Sequence, residues 1–229
     1  MDFSAFEQKT GFTFQNKTLL KQAFTHRSYI NEHKGSGLEH NERLEFLGDA
    51  VLELVMTEFL YAKFPQKPEG ELTAYRAALV NTQSIAAAST ELEMNEFLLL
   101  SKGEAKDTGR ARLYILANTF EAFIGALYLD QGYDAAKKFI DDNLFHKADE
   151  IVEKRLWQDA KSRFQELAQE KEGVTPNYEL IGEKGPDHDK HFLTGVFLGK
   201  NKIAEGSGPS KQEAEQEAAE NGLKAKGWE

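Results

Sequence analysis

The sequence contains no cysteine in 229 residues. That absence excludes disulfides, thiolate metal sites and a cysteine nucleophile, and it fits a reducing compartment. The opening MDFSAFEQKT has no basic stretch leading into an apolar run, and no later segment approaches the length of a membrane span. Internal repeats and low-complexity tracts are missing as well. The expectation is a cytoplasmic protein with no membrane partner. Positive charge is also short: 28 Lys plus Arg against 38 Asp plus Glu leave a formal net charge of −10. The deficit is spread along the chain, with 10 basic against 14 acidic residues in 158–229 and 18 against 24 before that. Phosphate binding usually leaves a basic footprint, so any polyanion partner must be gripped by local features. What is present, 40% hydrophobic and 29% charged residues, describes a globular chain long enough for one large domain or two modest ones.

Residues 1 to about 150 carry helical periodicity. KTLLKQAFTH, AVLELVMTEFLYAKF, LTAYRAALVNTQSIAAAS and ILANTFEAFIGALYLD all repeat apolar residues at three and four. Turn chemistry separates them at NEHKGSG (31–37), PQKPEG (65–70) and SKGEAKDTGR (101–110). The charged stretch HKADEIVEKRLWQ loses the apolar rhythm, which places a junction near its end. Beyond it the pattern changes to a short helix (KSRFQELAQEK), three strands (NYELIGE, KHFLTGVFLG, NKIAEG) and a closing helix (SKQEAEQEAAENGLKAKG). The predicted fold is an all-α domain over 1–153, a linker over 154–158, and a small α+β module of order α-β-β-β-α over 159–229, with two helices covering one face of an antiparallel sheet.

The chemistry begins at NERLEFLGDA, residues 41–50. Glu42, Glu45 and Asp49 recur at three and four, so they line one stripe of a helix. Like charges that close repel, and Arg43 points elsewhere. A solvated helix face is the ordinary account of such a stripe, but Leu44, Phe46 and Leu47 surround it with apolar residues. A divalent cation is the alternative, since Mg²⁺ takes hard oxygen ligands. Asn118 and Glu121, three apart on an otherwise apolar helix, would complete the set if the two helices crossed, and Glu69 in the PEG turn is an outer contributor.

NERLEFLGDA resembles the signature of bacterial ribonuclease III. The resemblance extends through THRS (25–28), PEGELTAYRAALVN (68–81) and ILANTFEAFIGALYLD (115–130) in family order, and the terminal module is similar to that family's double-stranded-RNA-binding domain. It implies a homodimeric, Mg²⁺-dependent endonuclease that hydrolyses phosphodiesters of double-stranded RNA, leaves 5′-phosphate and 3′-hydroxyl ends, and needs no organic cofactor. Mn²⁺ would substitute for Mg²⁺. Glu45, Asp49 and Glu121 match metal ligands, while Glu42 and Glu69 match acidic residues near the cut, so the implied catalytic set is Asp49, Glu121, Glu42 and Glu69. Asn118 is the departure, standing where many members carry Asp. Its amide oxygen can still coordinate, without negative charge, so the expectation is that activity persists on three ionised ligands. Phe46 would insert into a pocket of the partner subunit; an ordinary core phenylalanine is the other account.

In the terminal module the resemblance assigns Ser162, Gln165 and Glu166 to one minor-groove contact and His188 to the second. Ser210 and Glu213 form a capping box that leaves amide groups and a positive dipole end near Lys211, a phosphate cradle. Gln212 and Glu215 occupy positions that are commonly basic, which predicts a weak grip and a shallow salt dependence. The competing function is a catalytically weakened duplex-RNA-binding dimer, kept open by Asn118, or a helical metal-dependent hydrolase of a smaller phosphorylated substrate.

Overall fold

The computed structural model describes residues 2–35, 37–186 and 190–228. It divides into two compact units, Met1–Trp157 and Gln158–Glu229. The first is helical: α1 (Ser4–Thr10), α2 (Lys17–Ala23), α3 (Arg27–Glu32), α4 (Glu42–Lys63), α5 (Glu69–Leu79), α6 (Thr82–Glu91), α7 (Arg110–Gln131), α8 (Tyr133–Ile140) and α9 (Lys147–Glu153). Side-chain caps explain several starts. Asn16, His26 and Asn81 each accept a hydrogen bond from a backbone N–H two or three residues on. The cap at Asn81 divides LTAYRAALVNTQSIAAAS, which reads as one periodic stretch, into α5 and α6. Within 146–158, where the apolar rhythm is lost, α9 still forms and buries Ala148 and Ile151. About two turns are too few for a periodic signal among so many charges.

α4 and α7 are the central pair, packed so closely that side chains would not fit at the crossing. A Cβ on Gly48 would lie 1.7 Å from the Glu121 carbonyl oxygen, and one on Gly125 would lie 2.2 Å from that of Leu44. Around this pair a phenylalanine cluster fills the core, with Phe6 edge-on to Phe24 at 4.9 Å and to Phe123 at 5.2 Å, geometries that aromatic quadrupoles favour. The core therefore fixes how two long helices cross, and the crossing fixes which side chains meet. No helix among the described residues is long and apolar enough to cross a membrane.

The second unit runs α10 (Ala160–Glu172), β1 (Pro176–Lys184), β2 (His191–Leu198), β3 (Asn201–Gly208) and α11 (Lys211–Lys226). The sheet is antiparallel in the order β1-β2-β3. In β2, Thr194, Val196 and Leu198 are buried, and Val196 and Leu198 pack with Phe164, Ala218, Leu223 and Trp228 in a separate core. Asp159 caps α10 through the Ser162 N–H, and Ser210 caps α11 through the Glu213 N–H.

Candidate functional site

Glu42 is the first residue of α4, with Glu45, Asp49 and also Glu53 following on one stripe. Arg27 and His40 stand beside Glu42, at 3.4 and 3.7 Å, so part of the positive charge that the stripe calls for comes from the chain itself. The next turns differ. Among the described residues no Lys or Arg is paired with Glu45, Asp49 or Glu121. The Gly48–Gly125 approach sets α7 against this part of α4: Gly48 lies between Glu45 and Asp49, and its Cβ position abuts the backbone of Glu121.

The electrostatics record that convergence. Burial lifts the Glu121 carboxyl to about 8, with the charges of Asp49 and Glu45 adding to the shift. Glu45 is raised by burial and then by Glu42 and Asp49, while a side-chain hydrogen bond from Asn118 pulls it down. Asp49 is raised by burial and by Glu53. Thus Glu45, Asp49 and Glu121 lie within electrostatic reach of one another, and Asn118 hydrogen-bonds to Glu45. As the side chains lie, no three acidic or histidine groups among the described residues meet tightly enough to clasp an ion. The donor set nonetheless fits a hard divalent cation: carboxylate oxygens, one amide oxygen, partial exposure to water, and an unmet demand for positive charge.

Glu69 is not brought to this cluster within one chain. It opens α5 and lines a cavity of ≈ 480 Å³ with Thr57, Tyr61, Lys67 and Arg76. Thr57 lies two turns beyond Asp49, about 12 Å along the helix axis. Phe46 is 81% exposed, which overturns the reading of it as a core residue. It borders a hollow of ≈ 600 Å³ lined by Leu19, Leu44, Leu47 and Leu129 together with His40 and Arg43.

In the second unit Ser162, Gln165 and Glu166 are exposed on α10, with Glu166 accepting a 2.6 Å hydrogen bond from Gln158. Lys211 is exposed at the start of α11, its ammonium 5.9 Å from the Phe192 ring centre. Ser210 Oγ accepts from the Glu213 N–H and donates to the Glu213 carboxylate, both at 3.2 Å. His188 lies outside the described residues. Sequence reasoning missed Gly48 and Gly125, although glycine inside an apolar helix is a signal of close approach. It also missed Glu53, which continues the acidic stripe by four residues, and Arg27 with His40, whose approach to Glu42 no local pattern foretells.

Comparison with known proteins bears on both units. Residues 16–148 match the family model described as Ribonuclease-III-like, and residues 160–226 match the double-stranded RNA binding motif. Ribonuclease 3 of Enterococcus faecalis is 49% identical over 219 residues, covering 96% of this chain and 95% of the relative. That of Geobacillus thermodenitrificans is 48% identical over 221 residues, covering 96% and 89%. Among solved structures, the nuclease domain of a Campylobacter jejuni ribonuclease III, described for the flexibility of its dimer-forming region, is similar with a TM-score of 0.56 at 41% identity, covering 62% of this chain and 98% of that one.

Proposed function

Because the chain belongs to the ribonuclease III family, and so is a double-strand-specific endoribonuclease, we propose that Glu45, Asp49, Asn118 and Glu121 hold its divalent cation, with Mg²⁺ the working ion and Mn²⁺ able to substitute. The observation that carries this reading is the close crossing that sets Glu121 of α7 against the Glu45–Asp49 turn of α4, where burial beside Asp49 and Glu45 lifts its carboxyl to about 8. A buried carboxyl between like charges is costly to ionise, and a cation reverses that cost. When bound, the cation supplies an activated water and the positive charge that phosphodiester hydrolysis needs. Glu121 must lose its proton before it can ligate, so cation uptake is linked to proton release. Asn118 offers an amide oxygen, and its N–H steadies the Glu45 carboxylate. Glu42, held by Arg27 and His40, orders solvent at the edge of the site.

A duplex presents two antiparallel strands, which a two-fold dimer can address with one site each. Phe46, exposed on α4, enters the partner subunit in that dimer. Glu69 opens α5 beside Thr57 and Tyr61, away from its own chain's cluster, so its role near the cut belongs to the assembled dimer. Products carry 5′-phosphate and 3′-hydroxyl ends. The terminal unit grips the duplex through Ser162, Gln165 and Glu166 in one minor groove, His188 in the next, and Lys211 with the α11 N-terminus on phosphates between. RNA processing in the cytoplasm, ribosomal precursors included, is the corresponding role.

The test is incubation of the protein with a long perfect RNA duplex with and without Mg²⁺. Cutting only with the metal, abolished in Glu121→Gln while duplex binding survives, is the expected result. Binding without cutting until Asn118→Asp is introduced would instead establish the weakened-dimer reading, which the uncharged Asn118 in the donor set favours.

A further inference from the structure

The two helices of the terminal unit are tied by a charge pair outside the contacts assigned above. Lys161, in the first turn of α10, places Nζ 2.6 Å from Oε2 of Glu215, one turn after Lys211 on α11. The ammonium lies 5.0 Å from the Tyr178 ring centre. Gln216 reinforces the tie, accepting from the Lys161 N–H at 3.4 Å and donating to Asp159 at 3.2 Å. Neither end is withdrawn from water, since the side chains keep 33% and 29% of their exposure. Lys161 precedes Gln165 by four residues and Glu215 follows Lys211 by four, so each partner shares a helix face with an assigned RNA contact.

We propose that Glu215 sets the affinity for duplex RNA by holding Lys161 as an internal counter-ion, withholding one cation from the phosphates. The inference rests on the reading of this unit as the duplex-binding surface. As a pair, Lys161 and Glu215 carry no net charge toward a polyanion. If Lys161 left for a phosphate, Glu215 would stand uncompensated beside other negative charges, so the gain at one contact is cancelled at the next. Removing the carboxylate charge frees the ammonium. Each cation given to the backbone releases counterions and steepens the dependence of log K on log salt by about one. A merely structural tie would alter the stability of the unit and leave that slope alone.

The experiment uses the full chain with a chelator, so that nothing is cut, and measures the Kd for a short blunt RNA duplex across a salt series, with thermal unfolding as a control for folding. Glu215→Gln is expected to bind about fivefold tighter near 0.15 M salt, with a slope steeper by about one. Lys161→Gln, which leaves Glu215 uncompensated, is expected to bind more weakly with a shallower slope, and the double variant to return to the wild-type slope. A folded Glu215→Gln with an unchanged slope overturns the proposal. If that variant does not fold, an unchanged slope in Lys161→Gln overturns it equally. Wild-type protein that fails to bind the duplex brings down the binding surface itself; wild-type binding with unresponsive variants removes only the role of Glu215.

Discussion

The α4–α7 crossing and the terminal unit treat carboxylates in opposite ways. Around the α4–α7 crossing, Glu45, Asp49 and Glu121 are each raised by burial and by a neighbouring carboxylate. In the terminal unit four of the acids are paired with lysines: Glu215 with Lys161, Glu183 with Lys190, Glu172 with Lys226, Glu205 with Lys202. Exposed pairs of this kind add little stability, but they erase the local charge that a phosphate would feel. Uncompensated acids mark the place where a cation from outside is required, and compensated acids mark a surface whose grip on a polyanion is held down. A net charge of −10 is thus consistent with a nucleic-acid substrate, because the two units answer to different parts of it.

The largest expected break in this contrast is Glu121→Gln. Loss of an outer-sphere partner of a metal site typically costs about 10–100-fold, so loss of the proposed ligand should lower the cutting rate by more than about a hundredfold, measured on end-labelled duplex at saturating RNA. The same variant has an opposite effect on stability. In metal-free protein Glu121 keeps its proton until about pH 8, whereas the unfolded chain loses it near the ordinary glutamate value. The folded state therefore binds more protons across that window, and stability falls as pH rises from about 4.5 toward 8. Glutamine carries no such penalty. Thermal unfolding in chelator should show Glu121→Gln stabilised relative to wild type at pH 8 and the advantage vanishing near pH 4; equal midpoints at both pH values would remove the uncompensated cluster.

Next in size is Gly48→Ala, whose added methyl would overlap the Glu121 carbonyl. Overpacking of this kind costs about 1–3 kcal/mol, read from denaturant unfolding. A variant as stable as wild type would show that the helices can part without loss. Asn118→Asp should sharpen the contrast by adding a fourth charge to the cluster, lowering the Mg²⁺ concentration for half-maximal cutting by a few-fold while wild type still cuts. An unmoved metal requirement would take Asn118 out of the donor set. The smallest effect belongs to the compensated unit, where Ser210→Ala removes the α11 cap at about 1 kcal/mol, detectable as a lower midpoint for that unit with cutting chemistry intact.

Much of this was legible in the order of residues. Apolar spacing declared the helices α2, α4, α5 and α7; the change of pattern after Gln158 declared a second unit; Ser210 with Glu213 declared a helix start. These are local matters, decided by backbone propensity and by side chains within a turn of one another. The acidic stripe itself was legible for the same reason, since spacings of three and four need only one helix.

The rest depended on residues distant in the chain. That Glu121 faces Asp49 follows from Gly48 meeting Gly125, a close approach settled by core packing between residues far apart in the chain. That Glu69 sits beside Thr57, that Phe46 points outward, and that Arg27 answers Glu42 follow from the same assembly. Residue types and short spacings determined which groups could do this chemistry. Tertiary packing decided which of them share a site, because Coulomb energies and burial depend on distance in space rather than separation along the chain.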